Sequence, residues 1–471
     1  MSDKPKNEKK SESKTEKKSE KKTENKSENK TENKLEKTSE NKTVKRLKKQ
    51  SSSSNAVKAV RRALMFLLSL IAVCMIVLVV YMLRNGSTDP RVSEGITNNW
   101  APVVSTAEPE MTEALEATEE TEPVDPILYA AQQTLDSMTL EEKVYQMFFV
   151  TNHELTGQYY ANTADDMSRI ALESKPVGGI VYDSDNIFSR AQLETMIAGL
   201  QTYSDIPLLI GVEEEGGTNS YLSSIGVTAY YDQMGVYGDE NATERVYEIG
   251  NEIGSAITEI GFNIDLAPVA DSLSNPYNTE IGRRAFSSDP HTTAMMVMQM
   301  VRGLHSANCM TCLKYFPALS ASNTDSRYGM AVSNITSEEL QENLLPFSIG
   351  IDNGADMIMV SHLGLPNIIG DNRPADLCPE IVDNLLRGQL NYQGVVMTDS
   401  FQKGAITYNY EIDSAAVQAV QAGCDIIYRP GDLNAAAQAI LDAVDSGVLT
   451  EERINQSVLR ILILKYSNGL D

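Results

Sequence analysis

From Pro126 onward the chain alternates short apolar runs with stretches of helical periodicity. Eight such runs occur, at 146–151, 178–182, 207–212, 262–269, 310–316, 356–361, 394–398 and 424–428. Apolar runs of this length are those of strands buried on both faces. Between most of them lie helical patterns, clearest at 190–203, 240–260, 289–306, 337–353 and 379–391. Parallel strands need crossover connections, which helices supply. Eight strands alternating with helices over about 340 residues therefore predict an α/β fold of the (β/α)8 barrel type. An open doubly wound sheet is the alternative that the pattern alone leaves standing. Thr139-Leu-Glu-Glu142 reads as a capping box that opens the first barrel helix.

The 471 residues exceed one compact domain, and the excess lies in front of the alternating region. Residues 1–62 carry almost no apolar side chains, with Glu at every fourth position from Glu8 to Glu40 and Lys at every fourth from Lys10 to Lys34. On a helix this would stack like charges at i,i+4, where they repel. The segment is read as a disordered repeat tail. Residues 63–83 form an uncharged apolar run of 21 residues. At about 1.5 Å per residue it spans a bilayer core of ~30 Å. A cleaved signal peptide would need a short n-region and a small-residue exit, and neither is present. Seven Lys and Arg lie within 20 residues before the run and two after it, which puts the N-terminus in the cytoplasm and the bulk of the chain outside the cell membrane. Residues 84–125, rich in Glu, Thr and Pro, read as a stalk, and 126–471 as the barrel.

The formal net charge of −25 conceals opposed halves: +12 over residues 1–84 and −37 over the remainder. An acidic exterior argues against nucleic acid, whose phosphates need cations, and leaves neutral sugars open. Cys309-x-x-Cys312 invites a metal reading. In a strand, however, residues three apart face opposite sides, so burial in the core is expected. No cofactor or metal signature stands out.

In a barrel, function gathers on the loops leaving the C-terminal strand ends. The polar residues placed there are Glu213-Glu214-Glu215 after strand three and Asp271 and Arg284 after strand four. Lys314 follows on strand five, His362 on strand six and Asp399 on strand seven. A carboxylate near Lys314 and Arg284 stays ionised. An ionised Asp in a cavity of hydroxyl-binding groups suits attack on an oxocarbenium-like centre.

Several blocks, in this order and spacing, resemble glycoside hydrolase family 3, most closely its single-domain bacterial β-N-acetylglucosaminidases. They are Leu140–Met147 (LEEKVYQM), Gly211–Gly217 (GVEEEGG), Phe262–Asp271 (FNIDLAPVAD), Gly282–Pro290 (GRRAFSSDP), Lys314–Pro317 (KYFP) and Gly394–Ile406 (GVVMTDSFQKGAI). The resemblance runs from about Thr139 to Leu464. It implies a retaining glycosidase acting on carbohydrate or cell-wall glycans, with Asp399 as nucleophile. It also implies a sugar held by Glu213, Arg284, Lys314, Tyr315 and His362.

Departures accompany it. Where the family reads K-H-F-P-G-H-G and then D-S-H, this chain reads KYFPALS from Lys314 and Asp325-Ser-Arg327. The resemblance implies that Asp325 orients a general acid/base imidazole whose place Arg327 takes. Guanidinium does not release its proton at working pH. The family's sugar-binding Asp becomes Glu213, and Thr218 and Tyr221 replace two arginines. Replacement acids to consider are His153, Glu154, Glu280 and His362. Two readings follow: a glycosidase with weakened acid catalysis, or a surface glycan-binding or scaffold protein. Partners of the cytoplasmic tail are not legible.

Overall fold

The computed structural model describes residues 125–470. The tail at 1–62, the apolar run at 63–83 and all but the end of the stalk at 84–125 lie outside the described residues. Among those described, no helix is long and apolar enough to cross a membrane.

Eight strands appear where the eight apolar runs place them. They are β1 Phe148–Thr151, β2 Gly179–Tyr182, β3 Leu209–Val212, β4 Ile264–Asp265, β5 Met310–Phe316, β6 Met357–Val360, β7 Val395–Thr398 and β8 Ile427–Tyr428. Each pairs in parallel with its neighbours in chain order, and β1 pairs with β8 through Phe148 and Ile427. A parallel bridge from Met397 to Ile426 joins β7 to β8, with the Thr398 amide donating to the Ile426 carbonyl at 3.0 Å. The ring is closed, and the open-sheet alternative is set aside.

Closure explains why the strands are apolar throughout: inside faces fill the barrel and outside faces meet helices, and every residue of β1, β2 and β3 is buried. The Phe149 ring fills space that glycine vacates on two neighbouring strands. A Cβ at Gly179 or Gly211 would stand 2.9 or 2.6 Å from it. Cys309 and Cys312 are buried, as expected of core residues, and burial pushes both thiols up and out of reactivity.

The helix at 190–203 forms over Arg190–Tyr203, and Thr139 and Glu142 close the capping box. Two stretches differ from expectation. The periodic run at 337–353 splits into Ser337–Asn343 and Leu345–Asp352, because Pro346 lacks the N–H that would continue the first helix. The run at 379–391 winds with i→i+5 bonding over Glu380–Gln389.

At the N-terminal end of the barrel, fully buried Asp425 accepts from Arg387 (2.6 Å), Arg460 (3.0 Å), Ser457 (2.7 Å) and the Val396 amide (3.0 Å). This network ties β7 and β8 to the last helix, Glu451–Ser467. Charge on that face serves the fold.

Candidate active site

At the opposite end, the chain leaves β3 through three consecutive glutamates that point three ways. Glu213 faces the barrel mouth. Glu214 turns inward, accepting from Thr228 (2.7 Å), Ser220 and the Leu222 amide. Glu215 receives two bonds of 2.8 Å from the Arg284 guanidinium and forms an ion pair with the Lys314 ammonium. A short hairpin, Glu214–Gly216 with Asn219–Ser220, makes this possible. Its turn needs left-handed backbone at Gly216 (φ 79°) and Gly217 (φ 60°), which glycine adopts without strain.

Arg284 then has four of its five N–H donors engaged. Beyond Glu215 it donates to the Tyr315 hydroxyl (2.7 Å) and the Glu280 carbonyl (3.1 Å). Lys314, wholly buried on β5, also approaches Glu213 at 3.4 Å. Burial alone would raise the Glu215 carboxyl, but the two cations outweigh it and hold it down to about 2.

Asp399 leaves the end of β7, its amide anchored on the Val360 carbonyl at 2.9 Å. One carboxylate oxygen accepts from the Ser400 amide and the other from the Lys403 ammonium, both at 2.7 Å. Lys403 also donates to Glu280 at 2.8 Å. Burial pushes the Asp399 carboxyl up, yet Lys403 and His362 bring it below the usual carboxylate range. The expectation that Asp399 stays ionised agrees with this, but the cation beside it is Lys403, since Arg284 and Lys314 are committed to Glu215.

His362 is fully buried and does not line the cavity. Its Nδ1 lies 2.9 Å from Asp376 and its Nε2 2.9 Å from the Ser400 carbonyl. A carbonyl only accepts, so Nε2 carries a proton. Burial disfavours charge on the ring, but the Asp376 carboxylate prevails and raises its pKa. From this position His362 steadies the segment carrying Asp399, with no route to a sugar; nor does fully buried Lys314 have one except through Glu213.

A cavity of about 340 Å3 opens over these groups. Asp399, Glu280, Lys403, Glu213, Arg284 and Tyr315 line it, with Asn219, Tyr221, Arg327 and Arg429 around them. Of the expected residues, the structure gathers Asp399, Glu213, Arg284 and Tyr315 here. Asp325 stands behind Arg327, which pairs with it at 2.5 Å and is 53% exposed at the cavity edge. Glu154 and His153 lie off this cavity. Lys403 and the Asp183–Arg429 pair (3.2 Å) also line the cavity and were not expected from the sequence. Lys403 had a signal: it sits four residues after Asp399 with opposite charge.

Asp271 is buried away from the cavity, accepting from the Ser320 amide and hydroxyl at 2.7 Å each. Burial raises its carboxyl from 3.8 to about 7. The fold thus holds a proton there that the unfolded chain releases, so stability falls as pH rises from about 4 to 7. Asp271→Asn is expected to remove that decline, read as the wild-type minus variant difference in urea midpoint across this window.

The glycosyl hydrolase family 3 N-terminal domain matches residues 139–464. A Pseudoalteromonas piscicida protein named beta-hexosaminidase A is 29% identical over 321 residues, 61% of this chain and 53% of its own length. A beta-hexosaminidase of Xylella fastidiosa strain 9a5c is 31% identical over 277 residues, 57% and 81% of the respective chains. Among solved structures, a family 3 β-N-acetylglucosaminidase from Paenibacillus is 34% identical with a TM-score of 0.66, covering 71% of this chain and 64% of that one. This chain therefore spans about half of the Pseudoalteromonas protein and less than two thirds of the Paenibacillus chain.

Proposed function

Since the chain belongs to glycosyl hydrolase family 3, we propose that it is a retaining β-glycosidase of the β-N-acetylhexosaminidase kind, with Asp399 as nucleophile. One observation carries this: an ionised, hydrogen-bonded carboxylate at the end of β7, facing a cavity furnished with hydroxyl-binding groups. Attack by Asp399 on the anomeric carbon forms a glycosyl ester, which water then hydrolyses. Glu213, Arg284 and Tyr315 hold the sugar, while Lys314 and His362 act from behind as positioning residues.

Proton donation is weakened in this reading, because Arg327 and Asp325 neutralise one another where an acid/base imidazole would stand. General acid help is worth roughly 10²–10⁴ in rate. Turnover is therefore expected to depend steeply on the leaving group: nitrophenyl glycosides are cleaved and alkyl glycosides scarcely at all. A flat dependence refutes weakened acid catalysis.

The deciding experiment is trapping with a 2-fluoro glycoside, then mass spectrometry of the labelled peptide. A label on Asp399 is expected. No label, together with calorimetric binding of chitooligosaccharides, favours the second reading of a glycan-binding or scaffold protein. The ion pairs of Asp399 with Lys403 and Asp325 with Arg327 speak for that reading. We further infer a single anchor at 63–83 with the barrel outside the cell, resting on the apolar length and the charge bias. External protease that spares the barrel in intact cells and cuts it after lysis overturns this placement.

A further inference from the structure

Glu280 is 4% exposed and lines the cavity from the loop that follows β4. Its Oε1 lies 2.8 Å from the Lys403 ammonium, and the same ammonium lies 2.7 Å from Asp399 Oδ2. One shared nitrogen keeps the two carboxylate oxygens no more than about 5.5 Å apart, compatible with the ~5–5.5 Å separation of the paired carboxyl groups in retaining glycosidases. The slot between them holds a positive charge, as it would hold an oxocarbenium-like centre during reaction.

We propose that Glu280 is the second carboxylate of the catalytic pair, serving as acid and then base, and that Lys403 is its resting counterion, seated where the anomeric centre must go. This rests on the reading of Asp399 as nucleophile. In the first half of the reaction, protonated Glu280 gives its proton to the glycosidic oxygen as the C–O bond breaks and Asp399 bonds the anomeric carbon. In the second half, Glu280 takes a proton from water as the water oxygen attacks that carbon. The ester bond breaks and Asp399 leaves as a carboxylate.

Lys403 opposes the first step in the empty site. Burial raises the Glu280 carboxyl, but Lys403 lowers it further, helped by the Ser326 hydroxyl (2.6 Å) and amide (2.7 Å). The other titratable and charged groups interacting with Glu280 are Asp399, which favours its protonation, the buried Asp271, which holds its own proton up to about pH 7, and Arg327. A sugar entering the slot displaces the ammonium, and Asp399 then raises the pKa of its neighbour, so that Glu280 holds its proton. The same bonds to Ser326 also fit a merely structural role, anchoring the 325–327 loop.

Azide separates the two. Glu280→Ala, assayed with a dinitrophenyl β-N-acetylglucosaminide, is expected to stall after the first step. Sodium azide should then restore turnover tenfold or more and yield the β-glycosyl azide, while the wild type gives none. Glu280→Gln, which retains an acceptor for Ser326, is expected to lose the first-step acid as fully, making turnover of nitrophenyl glycosides fall more steeply with leaving-group pKa than in the wild type. Lys403→Met should move the basic limb of the kcat/KM profile to higher pH. A folded Glu280→Ala protein that labels at Asp399 but neither responds to azide nor forms the azide product overturns the assignment to Glu280, and an unmoved pH limb in Lys403→Met overturns the counterion role. If neither the wild type nor any variant labels at Asp399, the glycosidase reading fails first and this inference with it.

Discussion

Asp399→Asn is expected to lower kcat/KM for an aryl β-N-acetylglucosaminide by about 10⁴-fold or more, the scale seen when a nucleophile that acts in concert with its partners is removed. The amide still accepts from the Ser400 N–H, and Lys403 keeps Glu280, so the fold should stand while the chemistry stops. Covalent labelling should vanish with it. Equal rates for the variant and the wild type would remove Asp399 from the mechanism. Because Asp399 is held below the usual carboxylate range, loss of rate through its own protonation is expected only at pH below that range. Any acidic limb at neutral pH belongs to another group.

The second large effect is structural. Among the described residues Glu215, whose side chain is 3% exposed, is the sole counter-charge bonded to Arg284, and it shares Lys314 with Glu213 at the floor of the cavity. Glu215→Gln leaves two buried cations nearly unopposed, which costs about 3–5 kcal/mol. A lowered urea midpoint at unchanged slope is expected, together with loss of glycan binding as Arg284 and Tyr315 drift from the cavity wall. The pH dependence has a definite sign. Glu215 titrates lower in the fold than in the unfolded chain, so its contribution is whole above pH 4.5 and fades as pH falls toward about 2. The variant should lack this acid-sensitive part. A midpoint within experimental error of wild type would mean that the two cations find other partners.

Much of the barrel was legible because strand and crossover leave different periods in the sequence. Met310–Phe316 falls on the expected run residue for residue. The run at 262–269 pairs regularly only at Ile264–Asp265, since Pro268 has no N–H for the ladder, and the chain rejoins it by one bridge from Val269 to Lys314. The cavity was harder to read. Strand order places Arg284, Lys314 and Asp399 at one mouth, but says nothing of which charges cancel. Three adjacent glutamates look equivalent as letters; one hairpin turn sends Glu215 to take both cations, leaving Lys403 to serve Asp399. Glu280 was weighed as an acid from its place before Arg284, and only coordinates could show it sharing an ammonium with the nucleophile.

Because Phe148 meets Ile427, the first strand waits for the last. Every other seam can zip as its two edges emerge in turn, whereas this one must bridge nearly the whole domain. Lys465, donating to Gln146 at 2.8 Å behind the first strand, fastens that join from the far end. A ribosome must therefore release almost everything before the mouth acquires Arg429 and its full rim. Until then an unfinished edge is exposed, and ending the chain before β8 should yield an aggregating product rather than a smaller working one.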